Sequence, residues 1–153
     1  MPTDERAVRG LRRHLSAWAA QPRTELILPH DRRYERARHV YNRIHDCFPA
    51  ALVRSLDPAR LAEVLHIAVE HGVSLAIRGG GHHIAGFATC EGGIVIDLSP
   101  FRRVRVDEKQ GVAEVEPGAR LIDLDGKLCP RGFVVPSGTV SRTGIAGLTL
   151  GGG

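Results

Sequence analysis

The chain has 153 residues, of which 42% are hydrophobic and 25% charged. This is the ordinary composition of a globular domain that buries its own core. The formal net charge is +4 at pH 7, but the basic residues are scattered in short pairs beside acidic residues, and aromatic residues are few. The charge pattern therefore disfavours nucleic acid as a partner and predicts a solvated surface instead.

The cysteines do not form a recognisable framework. Cys47, Cys90 and Cys129 are odd in number and lack C-x-x-C spacing, which argues against both a disulfide scaffold and a zinc site. No metal site is expected. The sequence also has no apolar run long enough to cross a bilayer and no signal-peptide hydrophobic region after Met1. We expect a cytoplasmic protein without a membrane partner.

The amino-terminal part is predicted to be mostly helical. Val8, Leu11, Leu15 and Trp18 recur at helical spacing, which predicts an amphipathic helix over residues 4–20. A short extended piece is expected at residues 25–28. Apolar residues along one side of residues 33–45 predict a second helix there.

From residue 50 the pattern alternates between strand and helix. Residues 51–54 and 73–77 are predicted strands that flank a helix, with Asp57 as its N-cap and Gly72 at its end. This β-α-β unit should be parallel. Further strands are predicted at residues 93–98, 104–106, 111–116 and 133–135, and a helix at residues 121–128. Asp97, at a strand end, is interpreted as a turn-capping carboxylate.

The most informative segment is Arg-Gly-Gly-Gly-His-His-Ile-Ala-Gly, residues 78–86, called here the first glycine loop. Glycine has no Cβ, so three in a row let the backbone lie close against a ligand, and successive N–H groups can cradle an anion. The usual nucleotide motifs are absent, and adjacent histidines are poor ligands for one metal ion. A flexible turn with two solvated histidines is the plain alternative.

A second glycine-rich segment lies far downstream. It runs P-S-G-T-V-S-R-T-G-I-A-G-L-T-L-G-G-G over residues 136–153, and residues 138–147 are called here the second glycine loop. Each loop follows a strand-like run, and two such loops can hold the two halves of a long dinucleotide. The segment is expected to be a loop up to its last residue, with no helix after residue 153.

Together the two motifs resemble the FAD-binding domain of the p-cresol methylhydroxylase and vanillyl-alcohol oxidase superfamily, the PCMH type. Within it, the nearest groups are the berberine-bridge-enzyme-like and hydroxynicotine-oxidase-like oxidoreductases. The resemblance runs from about residue 26 to the last residue. It implies an α+β (α/β-like) fold of two small α+β subdomains that hold FAD between them, joined near residues 100–103.

Relatives of this family are longer. The chain is therefore expected to be an amino-terminal fragment or a truncated gene product. Residues 1–45 would form an amino-terminal helical extension, and residues 46–153 a PCMH-type FAD-binding domain that is incomplete at its carboxyl end.

The resemblance also implies roles for individual residues. His82 would be joined covalently to the 8α-methyl group of the flavin, with His83 as a hydrogen-bonding neighbour. Relatives with a doubly attached flavin carry cysteine where this chain has Val140, so a single covalent bond is expected. Arg78 either pairs with a phosphate or has a structural role. The residues expected to contact FAD are Arg78, Gly79, Gly80, Gly81, His82, His83, Gly86, Gly138, Thr139, Val140, Thr143, Gly144, Ala146 and Gly147.

The function implied is that of the FAD-binding portion of a flavin-dependent oxidoreductase whose full-length parent oxidises a small molecule. The sequence identifies no catalytic acid or base, and the fragment alone is expected to be inactive. Two alternatives stay open: an inactive remnant that binds no FAD and, less favoured, a basic nucleic-acid-binding module.

Overall fold

The computed structural model describes the backbone of residues 5–151 and the side chains of residues 8–151. Within that range the chain forms a mixed α+β fold. Its elements in order are α1 (Glu5–Ala19), β1 (Thr24–Ile27), α2 (Tyr34–Arg38), β2 (Ala51–Ser55), α3 (Pro58–Glu70), β3 (Leu75–Arg78), β4 (Ile94–Asp97), β5 (Val104–Asp107), β6 (Val112–Val115), α4 (Leu121–Leu128), a 3-10 turn (Cys129–Arg131) and α5 (Ile145–Leu150).

Helix α1 packs into the main core, as its apolar spacing predicts. Leu11 and Leu15 are fully buried and Trp18 nearly so, because residues three and four apart share one face of a helix. The indole N–H of Trp18 donates to the backbone oxygen of Arg60 on α3 at 2.8 Å. Residue 4, at the start of the predicted helix, lies outside the described residues.

The larger sheet has four strands in the order β1-β2-β4-β3. β4 is parallel to both β2 and β3, and β1 is antiparallel to β2. The predicted β-α-β unit is thus parallel, but β2 and β3 are not neighbours because β4 lies between them. All four residues of β4 are buried, as expected for a central strand covered on both faces.

A second, smaller sheet follows the first. β5 and β6 form an antiparallel hairpin, and α4 packs beside it. The connection from β4 to β5 spans residues 98–103, where the junction of the two subdomains is predicted. Of the described helices, α1 is the longest, and none is long and apolar enough to cross a bilayer.

Helix α3 has the ends that its sequence predicts. The Asp57 carboxylate accepts from the N–H of Ala59 at 2.9 Å, which satisfies one of the unpaired donors of the first turn. Gly72 follows the helix with φ of +60°, a left-handed conformation that glycine adopts at low cost.

The helix predicted over residues 33–45 is wrong for most of its length. α2 ends at Arg38, and His39 is extended with ψ of 139°. Beyond it, the N–H of Tyr41 donates to the oxygen of Gly81 at 2.9 Å rather than to a helical carbonyl. Tyr41 and Ile44, which belong to the apolar side of the predicted helix, are 75% and 86% exposed. Tertiary hydrogen bonds override the helical pattern here.

Two predictions near the carboxyl end are also wrong. Residues 133–135 do not form a strand: Val134 is 83% exposed, and the N–H of Phe133 donates to Leu128 at the end of α4. A short apolar run forms a strand only where a partner edge is available. Conversely, residues 145–150, expected to belong to a loop that runs to the last residue, form helix α5.

The division between residues 1–45 and 46–153 stays a prediction. It falls in the connection from α2 to β2. β1, on one side of it, pairs with β2 on the other, in the register Thr24 to Ser55 and Ile27 to Leu52. The two sides of the predicted boundary therefore share one sheet.

We expect Leu15→Ala to lower the free energy of unfolding by about 2–5 kcal/mol, the usual cost of a cavity at a buried leucine. Urea denaturation followed by circular dichroism measures this. Val69→Ala is the matched control, since Val69 on α3 is 81% exposed and should change stability by less than about 0.5 kcal/mol. Equal effects of the two substitutions would contradict the packing of α1 against the core.

Candidate functional site

The first glycine loop leaves the sheet at the carboxyl end of β3, beside the carboxyl end of the parallel strand β4. This is the edge at which open parallel sheets bind ligands. Arg78, the last residue of β3, is buried. Its guanidinium donates to the backbone oxygens of Ala37, Arg38 and Ala88. The side chain of Arg78 thus ties α2 and the far end of the loop to the sheet.

The charge of Arg78 is balanced from within the sheet. Burial lowers the pKa of the Arg78 guanidinium, and the charge of Asp97 opposes that effect. Asp97 is the register partner of Arg78 on β4. Its carboxylate accepts from the N–H of Ser99 at 2.9 Å, which agrees with the predicted turn-capping role, and forms a salt bridge with Arg54 at 2.8 Å.

The segment after α2 supports the first glycine loop from behind. Asn42 donates to the backbone oxygen of Ile84 at 2.9 Å, and Nε2 of His45 lies 2.7 Å from the same oxygen. Gly86 is buried with φ of +75°, and a Cβ there would lie 2.4 Å from the His45 ring. Because Gly86 has no Cβ, the His45 ring can lie against the loop at this position.

The second glycine loop is fixed to the start of α4. The N–H groups of Leu121 and Ile122 donate to the oxygens of Thr143 and Ser141 at 3.0 and 2.9 Å, and the N–H of Ile145 donates to Ala119 at 3.0 Å. These bonds hold the backbone from residue 141 to the start of α5 in one position.

The two glycine loops meet backbone to backbone at Gly80 and Gly144. A Cβ built on Gly80 would lie 2.6 Å from the Cα and N of Gly144, and one on Gly144 would lie 2.5 Å from the Cα and N of Gly80. Real Cβ atoms are not found so close to a backbone. Only glycine at both positions allows this approach.

A cleft of about 570 Å³ opens where the loops meet. Eight predicted site residues line it: Gly79, Gly80, Gly81, His82, His83, Thr143, Gly144 and Gly147. Six do not: Arg78, Gly86, Gly138, Thr139, Val140 and Ala146. Arg78 and Gly86 are buried behind the first loop. Gly138 lies beside Leu121 and Leu148 instead, and Val140 is 60% exposed.

The apolar part of the lining was not predicted from the sequence. Ile77, Ile84, Phe87, Ala88 and Leu148 also face the cleft, and Ile84 and Phe87 are largely exposed. The sequence did carry a signal for them: Ile84 and Phe87 are apolar residues in or next to a glycine-rich loop, and loops usually carry polar side chains unless they bind a ligand.

His82 stands at the centre of this arrangement. Its Nδ1 atom is buried and has no hydrogen-bond partner among the described residues. Its ring packs against Tyr41, with centroids 5.1 Å apart. Burial, and then the charge of Arg120, lower the pKa of His82. The imidazole is therefore neutral at pH 7 and can act as a nucleophile.

His83 has a different environment. It is exposed, its ring stacks on Phe87 with centroids 4.6 Å apart, and its Nδ1 accepts from the N–H of Ala85 at 3.1 Å. One ring nitrogen of His83 therefore takes part in a hydrogen bond within the first glycine loop. Of the two adjacent histidines, His82 is the one with a buried and unpartnered nitrogen.

These features define a class of site: a cleft between two glycine loops of an α+β domain, with main-chain surface on both sides and a buried imidazole nitrogen that lacks a partner. The absence of Cβ atoms suits close contact with a large planar or anionic group. An unpaired buried polar atom costs about 1–3 kcal/mol unless a ligand satisfies it. The donor set fits FAD.

Comparison with known proteins agrees with this interpretation. Residues 49–153 match the family described as FAD binding domain. The uncharacterised FAD-linked oxidoreductase YgaK of Bacillus subtilis is 33% identical over 128 residues, which cover 84% of this chain and 28% of YgaK.

Solved structures give the same result. 6-Hydroxy-D-nicotine oxidase from Arthrobacter nicotinovorans superimposes with a TM-score of 0.79 at 26% identity, over 84% of this chain and 28% of that one. Glucooligosaccharide oxidase from Acremonium strictum, described with a 6-S-cysteinyl, 8α-N1-histidyl FAD, gives 0.80 at 27% identity, over 91% and 30% of the two chains.

The chain belongs to the PCMH-type FAD-binding domains of berberine-bridge-enzyme-like FAD-linked oxidoreductases. It spans about 28% of the length of relatives such as YgaK.

We expect Gly80→Ala and Gly144→Ala each to lower the free energy of unfolding by about 1–3 kcal/mol, because the added methyl group forces the two backbones apart. Urea denaturation measures the change. Gly126→Ala is the control: no atom outside its own helix lies within 4 Å of a Cβ there, so it should stabilise α4 by about 0.5–1 kcal/mol. Tolerance of alanine at both Gly80 and Gly144 would show that the loops do not touch.

Proposed function

We propose that this chain is the FAD-binding part of a covalent flavoprotein oxidoreductase, with the flavin in the cleft between the glycine loops and joined to His82 by a single bond. The observation that carries the proposal is the His82 imidazole, which lines the cleft with a lowered pKa and a buried nitrogen that has no hydrogen-bond partner within residues 5–151. The imidazole of His82 is thus neutral, and its Nδ1 atom is not used in a hydrogen bond within the described residues.

The glycine backbones would hold the cofactor from two sides. Gly79, Gly80 and Gly81 present main-chain surface from the first loop, and Thr143 and Gly144 present theirs from the second. Backbone N–H groups placed this way suit the negative charge of a dinucleotide. Arg78 contributes indirectly, since its donors are taken up by three carbonyls that fix the loop.

The flavin, when bound, supplies two-electron oxidation chemistry, and the protein supplies position and electrostatics. His82 supplies the nucleophile for attachment. The attachment would replace one C–H bond of the 8α-methyl group and the imidazole N–H by an N–C bond, and dioxygen would be the acceptor of the two hydrogens, as hydrogen peroxide. Tyr41, packed on the His82 ring, restricts the orientation of the imidazole.

A single attachment is proposed because the second loop contains no cysteine. The doubly linked glucooligosaccharide oxidase uses a cysteinyl as well as a histidyl bond. Here the position that the resemblance assigns to that cysteine is Val140, which is 60% exposed and does not line the cleft. The described cysteines lie outside the cleft lining, and burial raises the pKa of Cys90 to about 11.

For the whole protein, we propose oxidation of an alcohol, amine or sugar carbon of a small molecule by hydride transfer to the flavin. The named relatives support this class, since they include a hydroxynicotine oxidase and an oligosaccharide oxidase. Phe87 and Ile84, exposed at the cleft, give it an apolar wall.

We expect His82→Ala to abolish covalently bound flavin and His83→Ala to retain it. The measurement is flavin fluorescence on the protein band after denaturing electrophoresis, followed by mass spectrometry of the modified peptide. A His82→Ala chain that keeps the label while His83→Ala loses it would assign the bond to His83. A wild-type chain that stays unlabelled with FAD, beside a labelled longer relative, would favour the inactive remnant.

The attachment should also depend on pH, and Arg120 should contribute to that dependence, after burial as the larger cause of the lowered pKa of His82. The Arg120 charge lowers the pKa of His82, so Arg120→Gln should raise that pKa toward its ordinary value of about 6.5. A raised pKa means more protonated imidazole at mildly acidic pH. Attachment in Arg120→Gln should then be slower than in the wild type near pH ~6 but equal at pH ~8.

The measurement is the rate of flavin incorporation at a series of pH values. Arg142→Gln is the matched control, because Arg142 also belongs to the second glycine loop but is exposed and does not contribute to the shift at His82. Identical pH profiles for the wild type and Arg120→Gln would exclude control by this charge.

A further inference from the structure

Three potential metal ligands meet at the contact of α1 and α3, away from the cleft lining. His14 lies on α1, Glu70 is the last residue of α3, and His71 follows it directly. Nδ1 of His14 is 3.4 Å from Nε2 of His71 and 3.6 Å from Oε2 of Glu70. One ligand atom from each residue lies within 4.8 Å of the other two.

The two separations from Nδ1 of His14 are close to those around a single tetrahedral metal ion. With bonds of about 2.0–2.1 Å, as for zinc bound to nitrogen or a carboxylate, neighbouring ligand atoms lie about 3.3–3.4 Å apart. The His14–His71 separation already has this value, and the His14–Glu70 separation needs only a small rotation of an exposed side chain. Two histidines and one glutamate form a known zinc donor set that leaves the fourth position open.

The arrangement is held by packing that does not involve a metal. The His71 ring lies against α1, since a Cβ on Gly10 would be 3.5 Å from its Cε1 atom. Gly10 and His14 are four residues apart and so lie on the same face of α1. The bond from Trp18 to Arg60 fixes α1 against α3 nearby. The ligands thus come from two helices whose separation is already set.

The site also has room for the fourth ligand. A shallow cleft of about 370 Å³ lies beside it, lined by His14, Trp18, His66 and Glu70 among others. The His14 and Glu70 side chains are 42% and 65% exposed, so water has access. A metal ion there would keep one solvent ligand.

We propose that His14, Glu70 and His71 bind one divalent transition-metal ion, with zinc as the preferred ion, and that the metal cross-links α1 to α3. The sequence predicted no metal site, since cysteine spacing and the adjacent pair His82 and His83 both disfavour one. Glu70 and His71 are adjacent as well, but both side chains reach Nδ1 of His14, at 3.6 and 3.4 Å. His14 and His71 are 57 residues apart, and only the folded chain brings them together.

The test is zinc binding to the full chain after removal of metals with EDTA. Isothermal titration should give one Zn²⁺ per chain, and Co²⁺ should give the visible absorption of a tetrahedral site. His14→Ala, His71→Ala and Glu70→Gln should each weaken binding by about tenfold or more. His66→Ala is the matched control, since His66 lies on α3 and lines the neighbouring cleft but is not one of the three ligands.

Absence of stoichiometric binding would overturn the proposal, as would a loss in His66→Ala equal to that in His14→Ala. Circular dichroism of the metal-free variants checks their folding. Should either histidine variant fail to fold, Glu70→Gln decides, because this exposed side chain can be changed without disturbing the core, and unchanged zinc affinity there contradicts the site. The flavin content should be the same with and without zinc, which separates this result from the proposal for His82.

Discussion

The architecture of the cleft depends on one close approach, that of the Gly80 and Gly144 backbones. The two residues come from segments that are far apart in sequence, and each segment has its own anchor: the buried Arg78 side chain for the first glycine loop and the start of α4 for the second. Because both anchors belong to regular elements, the loops meet without needing a ligand to draw them together. Preorganisation of this kind lowers the entropic cost of binding.

The same approach explains why a histidine follows the glycines directly. A backbone without side chains brings the two walls together but offers no functional group of its own. His82 adds one reactive group at the point of closest contact, and its surroundings keep that group neutral. Tyr41 and the carbonyl bonds of Asn42 and His45 supply rigidity from a segment that does not itself line the cleft.

Local signals in the sequence predicted those elements whose causes are local. The sequence predicted α3 from its N-cap residue Asp57, its regularly spaced apolar residues and Gly72 at its end. It predicted the first glycine loop from the run of glycines alone. Residues 39–45 and 133–135 could not, because their helix-like and strand-like patterns are overruled by hydrogen bonds to distant partners. Within the two loops, the sequence correctly predicted cleft-lining residues where glycines marked the site. The apolar lining and the His14, Glu70 and His71 cluster depend on tertiary placement.

The hydrogen bond between Trp18 and Arg60 has a practical consequence. Trp18 is the only tryptophan in the sequence, and it is buried at the contact of α1 and α3, beside the proposed metal ligands and apart from the flavin cleft lining. Its emission therefore reports on the docking of one helix rather than on the molecule as a whole. Fluorescence excited selectively at this single tryptophan can therefore show whether the amino-terminal helix is packed against α3.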